Sequence, residues 1–387
     1  MGAQAPPPPD QPMTGRAGIL NKGHDMKTAT TTGVEFRRLT VPAAIGDADD
    51  ADFVEMVRVR NAVYAEINGN ADDDLTAQEL LPHYEPDPHE IRLMWLAVAD
   101  GQIVGRVGVD IPLEEGSKNA YWLVELQRSH RGRGIGAAGY ALVEEAAREH
   151  GRSVLQSWAT HPDAPGPRLA APTGFGEIPE DDVARFYLRN GYRLEQIERK
   201  SQLDLVTSAS TVQRLLAEAE AKSTDYRVLQ WSPPTPEEYI DGFAWTKSRM
   251  STDAPSAGLE FDEETWDAER VRLHEQRYID GGRTVLVTVA QHIASGTIVA
   301  FNELAIGPDR TLPTSQEDTL VLKEHRGHKL GQLVKCAGLA TWHAEIAPDS
   351  PKVITYNAEE NRPMLDINEA IGFVPVSYNG AWKKVLP

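Results

Sequence analysis

Arg131-Gly132-Arg133-Gly134-Ile135-Gly136 stands between a strand-like run, Tyr121 to Gln127, and a helix-like run, Ala137 to His150. A glycine-rich turn between a strand and a helix gathers unpaired backbone N–H groups at the positive end of the helix dipole, which favours a phosphate. A second version, Arg326-Gly327-His328-Lys329-Leu330-Gly331, begins 195 residues later (326 less 131). The chain reads as building one anion site twice.

The surroundings of the two turns repeat as well. Met94 to Ala99 and Ile103 to Val109 read as strands joined by Asp100-Gly101, a strong hairpin signal. Thr284 to Ala290 and Gly296 to Ala305 form a matching pair around Ser295-Gly296. Val104 precedes Arg131 by 27 residues, and Val299 precedes Arg326 by the same number. After each turn the order is strand, helix, Gly-aromatic, strand: Val154 to Trp158, Asp182 to Asn190, Gly191-Tyr192, Arg193 to Leu205, then Lys352 to Asn357, Asn361 to Ala370, Gly372-Phe373, Val374 to Val385. The first copy is longer by 14 residues (60 from Arg131 to Gly191, against 46 from Arg326 to Gly372), which the Pro- and Gly-rich stretch 161–179 accommodates as a surface loop. Repetition on this scale is a duplication of whole domains.

Composition sets the class. The chain has 387 residues, enough for two ordinary cores, with 41% hydrophobic and 25% charged residues. Residues 1–33, with Pro6-Pro7-Pro8-Pro9, read as a disordered leader without the apolar core of a signal peptide. Residues 34–206 and 226–387 are the expected domains, and 207–225 the expected connection, carrying a short helix from Val212 to Lys222. No apolar run approaches membrane-spanning length, and one cysteine, Cys336 between apolar neighbours, fits a helix-core thiol in a reducing cytoplasm. A net charge of −19 repels nucleic acid and anionic membranes and attracts a cationic partner. The expectation is a cytoplasmic protein with no nucleic-acid or membrane partner; oligomeric state is not specified by these features.

The hairpin, the strand ending in Arg-x-x-Gly-x-Gly, the helix after it and the late helix ending in Gly-Tyr or Gly-Phe resemble the GCN5-related N-acetyltransferase (GNAT) superfamily. P-loop and dinucleotide folds fit less well, since neither turn has the Gly-Lys-Ser/Thr ending or the Gly-x-Gly-x-x-Gly spacing. The tandem arrangement resembles actinobacterial two-domain acetyltransferases of the mycothiol synthase type. The resemblance implies an α/β (α+β) fold of two GNAT domains, each a mixed, mostly antiparallel central sheet flanked by helices and splayed between its fourth and fifth strands to admit acetyl-CoA. It implies an N-acetyltransferase that passes an acyl group to a primary amine of a small molecule without a metal.

What the resemblance implies for individual residues follows the same two motifs. In the first copy the pyrophosphate would lie on the amides of Arg131, Gly132, Arg133, Gly134, Ile135, Gly136 and Ala137, with Arg128 supplying further charge. A backbone N–H near Leu126 or Gln127 would polarise the acyl carbonyl. Tyr187, four residues before Gly191, would protonate the departing thiolate, and Glu125 on the fourth strand would act as base. The second copy would use Val321, Arg326, Gly327, His328, Lys329 and Gly331 for the cofactor, with Asn357 and Asn361 on the pantetheine arm, and Asp318 as base. It departs from the pattern at Lys329, where a glycine is expected and a positive φ is unfavourable, and at Asn368, which replaces the tyrosine. These departures favour the first domain for catalysis, with the second, as in mycothiol synthase, or a non-catalytic CoA-binding scaffold, as alternatives.

Overall fold

The computed structural model describes residues 33–253 and 255–387, so nearly all of the expected leader lies outside the described residues. In chain order the elements are β1 (Val34–Arg38), α1 (Ala51–Asn68), α2 (Ala77–Leu80), β2 (Glu90–Ala99), β3 (Gln102–Pro112), β4 (Asn119–Leu126), α3 (Ile135–Glu149), β5 (Val154–His161), β6 (Arg168–Ala170), β7 (Glu177–Pro179), α4 (Asp182–Arg189) and β8 (Arg193–Asp204). Then come α5 (Leu205–Glu220), β9 (Tyr226–Trp231), α6 (Glu237–Ser248), α7 (Met250–Asp253), α8 (Ala268–Asp280), β10 (Thr284–His292), β11 (Ile298–Ile306), β12 (Thr314–Val321), α9 (Leu330–Thr341), β13 (Lys352–Ala358), α10 (Arg362–Ile371) and β14 (Val374–Val385).

The hairpin read at Asp100-Gly101 joins β2 to β3, with both residues at positive φ (50° and 76°), the conformation a two-residue type I′ turn requires. Strand β11, nine residues buried throughout, is covered on one face by α9, whose residues Leu330 to Leu339 are all buried. A strand and a helix with no polar face belong to the middle of a layered fold, here between the sheet and α5. Cys336 lies in this buried helix, and burial pushes its thiol up to about 12.

Two segments differ from the sequence expectation. The expected connection is a 16-residue helix, α5, that starts at Leu205 because the Asp204 side chain accepts a hydrogen bond from the Thr207 amide. Leu205, Val212 and Leu215 then join the core of the second half. The stretch 161–179 carries the small β6–β7 hairpin, and Ile178 from it is fully buried in the first core.

Twelve strands make one sheet, in the order β1-β2-β3-β4-β5-β14-β8-β13-β12-β11-β10-β9. The last strand of each sequence copy has crossed over. Strand β14, from the end of the chain, pairs with β5 of the first copy, and β8 pairs with β13 of the second. The side chains follow: Trp382 of β14 is fully buried in the first core, stacked on Tyr187 at 4.8 Å and 2°, while Leu203 of β8 packs in the second. The exchanged strands also pair with each other, so the ladder is continuous across the seam.

Candidate active site at the seam

Both copies keep the parallel pairing that starts the splay. Strand β4 meets β5 at Asn119 to Tyr121, and β12 meets β13 at Thr314 and Ser315, after which each pair diverges. Both turns also share their local shape. Arg131 Nε donates to the Leu126 carbonyl (2.9 Å) and Arg326 Nε to the Val321 carbonyl (3.2 Å). Gly134 has φ 82°, and Lys329 at the same place has φ 56°. The lysine therefore does take the left-handed conformation, against the sequence expectation, at a cost of about 1–2 kcal/mol. Its ammonium lies 3.6 Å from Glu218 of α5.

Beyond the turns the copies diverge. In the first, Trp122 is buried against Tyr140, Tyr187 and Tyr192, with ring centroids 5.2, 5.4 and 5.5 Å away. Ser157 on β5 donates to the Trp122 carbonyl at 2.8 Å and is hydrogen-bonded to the Tyr187 hydroxyl at 2.8 Å, bridging the strands just where they part. Tyr187 is buried, and burial holds its hydroxyl well above the usual phenol range, so it gives up a proton reluctantly. Glu125 receives Arg106 Nε at 2.6 Å, and Arg106 donates on to the Tyr84 hydroxyl at 2.9 Å; the carboxylate is held in a buried ion pair. The Gln127 amide is spent on the Val104 carbonyl at 3.0 Å, which leaves Leu126 as the residue whose amide points away from β3. Arg128 is tied to Glu66 through its own amide and guanidinium.

In the second copy the cleft is open. A cavity of about 790 Å³ is lined by the turn (Arg326, Gly327, Lys329, Gly331), by β12 (Glu317 to Val321), by the end of β13 (Asn357, Ala358) and by the start of α10 (Asn361, Met364, Ile367). Where the first copy has Trp122, nine residues before the turn arginine, the second has Glu317. Strand β12 also carries a bulge: Glu317 and Asp318 together oppose Glu303, because Asn302 pairs with Thr319 and Leu304 with Gln316. The β3–β4 ladder has no such shift. A bulge breaks the ladder and frees polar groups along the cleft wall. Past it, Leu322 donates to the Val299 carbonyl (2.9 Å), so alternation turns the Val321 amide away from β11 and towards β13.

The charges around this cavity are sorted. Lys247 of α6 is buried and bonded to Glu303 at 2.8 Å and Asp318 at 3.3 Å; burial works against its charge, but the two carboxylates outweigh that and hold it protonated. Asp318, expected as base, is therefore shared with a lysine. Glu317, which sequence reading passed over, faces the cavity, and burial raises its pKa against a weaker opposing pull from Arg283 at 3.7 Å. Asn368 Nδ2 donates to Asn357 Oδ1 at 2.7 Å, fixing the strand-end asparagine, and Asn361 lines the cavity without capping α10. The first half contributes too: Glu114, Tyr121, Gln196 and Glu198 reach the same cavity. Glu198 is on exchanged strand β8 opposite Ala358, and burial, with the charge of Glu360, pushes it up to about 7 although Trp158 Nε1 donates to it at 3.0 Å. His130 and His325, placed alike in sequence, have different partners, Ser129 and the Tyr226 hydroxyl.

Residues 59–175 match the Acetyltransferase (GNAT) family. No curated protein matches the chain. Among solved structures, the chain is similar to a tandem GNAT protein from the clavulanic acid biosynthesis pathway, with 25% identity, a TM-score of 0.69, and coverage of 91% of this chain and 98% of that one. A GCN5-related N-acetyltransferase from Sphaerobacter thermophilus shares the fold at 15% identity and a TM-score of 0.58, covering 92% of this chain and 97% of its own. A putative acetyltransferase from Pyrococcus horikoshii does so at 12% and 0.51, covering 94% of each.

Proposed function

We propose that this chain, a tandem member of the GNAT acetyltransferase family, is an acyl-CoA-dependent N-acyltransferase whose chemistry runs in the second copy, at the seam between the halves. The observation that carries the reading is the contrast between the clefts: β12 is bulged and opens on a large cavity, whereas the matching level of β4 is unbulged and packed with Trp122 and Tyr187. This reverses the preference that the turn sequences alone suggest. The family signature recognised in residues 59–175 covers the first copy, so in this chain signature and open cleft have parted.

Acetyl-CoA fits the second cleft as follows. The free amides at the start of α9, from Gly327 to Gly331, with Arg326 and Lys329 on the rim, suit the pyrophosphate. Asn357 and Asn361 suit the amides of the pantetheine arm, and the bound molecule supplies an activated thioester. The Val321 amide donates to the thioester oxygen, which gains charge as the amine nitrogen bonds to the carbonyl carbon. Glu317, with its raised pKa, accepts the amine proton. The carbon–sulfur bond then breaks, and because Asn368 stands where the first copy has Tyr187, the thiolate takes its proton from solvent.

Thiol release measured on Gly331→Asp, Gly134→Asp and Glu317→Gln tests the assignment. A carboxylate at Gly331 meets both the phosphate site and Ile367, whose Cδ1 would lie 2.9 Å from the new Cβ, so turnover is lost there and kept in Gly134→Asp. Glu317→Gln lowers kcat by roughly 10²–10⁴-fold. Loss only in Gly134→Asp, with unaltered thermal unfolding in all three, would return the chemistry to the first copy.

A further inference from the structure

Most carboxylates on the cavity wall have a cation. Glu114 and Glu264 share Arg270 at 3.4 and 3.3 Å, Asp253 has Arg249 at 3.5 Å, and Asp318 has Lys247. Asp262, held instead by Ser117 and Asn119, has none among the described residues, and neither do Glu198 and Glu360. Among the described residues Glu198 receives only the Trp158 indole, and Glu360 receives only Gln196 Nε2, at 2.6 Å. The second oxygen of Glu360 is buried with no hydrogen-bond partner at all. Glu198 also feels the charge of Glu360. Beside them Tyr121 and Phe261 line the cavity, backed by Trp158, whose ring is stacked on Phe261 at 6.3 Å and lies 6.0 Å from Tyr121.

Two half-buried like charges without a counter-ion are costly to hold, and aromatic rings next to carboxylates are what a ligand cation finds attractive. We propose that Glu198, Glu360 and the Tyr121 and Phe261 rings that line the cavity beside them form a subsite for a second positive charge on the acceptor. The substrate is then a dicationic amine: one amino group reacts at the β12 bulge while a distant ammonium or guanidinium sits between the two carboxylates. This rests on reading the second copy as the acyl-transfer site. Strand exchange is what makes such a substrate fit, because Glu198 comes from the first half of the chain and Glu360 from the second. Glu198 and Glu360 are positioning residues and touch the end of the substrate that does not react.

The test uses the full chain, α,ω-diamines from 1,3-diaminopropane to 1,6-diaminohexane, and an n-alkylamine of each matching length. At saturating acetyl-CoA, kcat/KM for the best diamine exceeds that of its monoamine by at least about tenfold, the effect of one well-placed charge contact. Glu360→Gln raises KM for the diamine by about tenfold, several times more than for the monoamine, and leaves kcat within about threefold. Calorimetric titration of the same diamine without acetyl-CoA shows the same weakening in the variant. Equal KM values for diamine and monoamine, or a kcat loss common to both, would overturn the subsite while leaving acyl transfer standing. Diamine binding that depends on Glu360 but yields no thiol would keep the subsite and remove the acyl-transfer reading.

Discussion

Glu198→Gln should make the protein more stable at alkaline pH and less able to hold its substrate. The carboxyl is pushed up to about 7 from an ordinary 4.5, a difference worth about 3 kcal/mol at roughly 1.4 kcal/mol per unit. The sign follows from which state binds the proton. Below about pH 4.5 the group is protonated in both states and costs nothing. Between the two values the folded protein holds a proton that the unfolded chain releases, so stability falls as pH rises. Above about 7 the folded state carries the buried charge, and the full penalty is present. Glutamine carries no charge, and its carbonyl oxygen still accepts the 3.0 Å bond from Trp158. Urea unfolding followed by tryptophan fluorescence should therefore show the variant ahead by up to about 3 kcal/mol at pH 8, with the gap closing near pH 4.5. Saturating diamine should narrow the gap at pH 8, because the ligand supplies wild type with its missing counter-ion. A variant less stable than wild type at pH 8, or a gap independent of pH, would refute the reasoning.

Two further substitutions address the divergence between the copies. Tyr187→Phe keeps the stack on Trp382 and loses the bond to Ser157, so it should cost about 1 kcal/mol in urea unfolding and leave kcat unchanged across pH; a tenfold fall in kcat would mean that the first cleft does chemistry. Lys329→Gly should relieve left-handed strain, raising stability by about 1 kcal/mol, while removing a rim charge and weakening acetyl-CoA in calorimetry. Tighter binding by this variant would show that the lysine obstructs the phosphate site.

Much of the fold was legible because its signals are local. The paired glycine turns, the Asp100-Gly101 hairpin and the equal spacing from Val104 and Val299 locate the strands before and after each loop. Three things were not. Strands β8 and β14 have equivalent places in their repeats, so local pattern could not say which half each completes; the exchange is decided by Trp382 and Leu203 finding cores in the opposite halves. The bulge at Glu317-Asp318 is a matter of pairing with β11 and leaves no mark in the order of residues. Glu198 carries no local mark that singles it out; the exchanged strand, which pairs it with Ala358, sets it beside Glu360. Trp122 against Glu317, equally far from their turn arginines, is a further sequence signal that the clefts differ, beside Lys329 and Asn368. The glycine pattern alone favours the first copy, whereas the open cavity lies in the second.

The crossed strands also impose an order of synthesis. The first half's buried Trp122 and Tyr187 cluster waits for Trp382, 195 residues beyond Tyr187 (382 less 187), so a ribosome must have made β14 before either half has its full sheet. Contacts this distant along the chain slow folding and leave strand β5 with an unpaired edge meanwhile. In the exchanged arrangement each half's sheet is completed by a strand of the other. The repeat written in the sequence is no longer the unit of the structure.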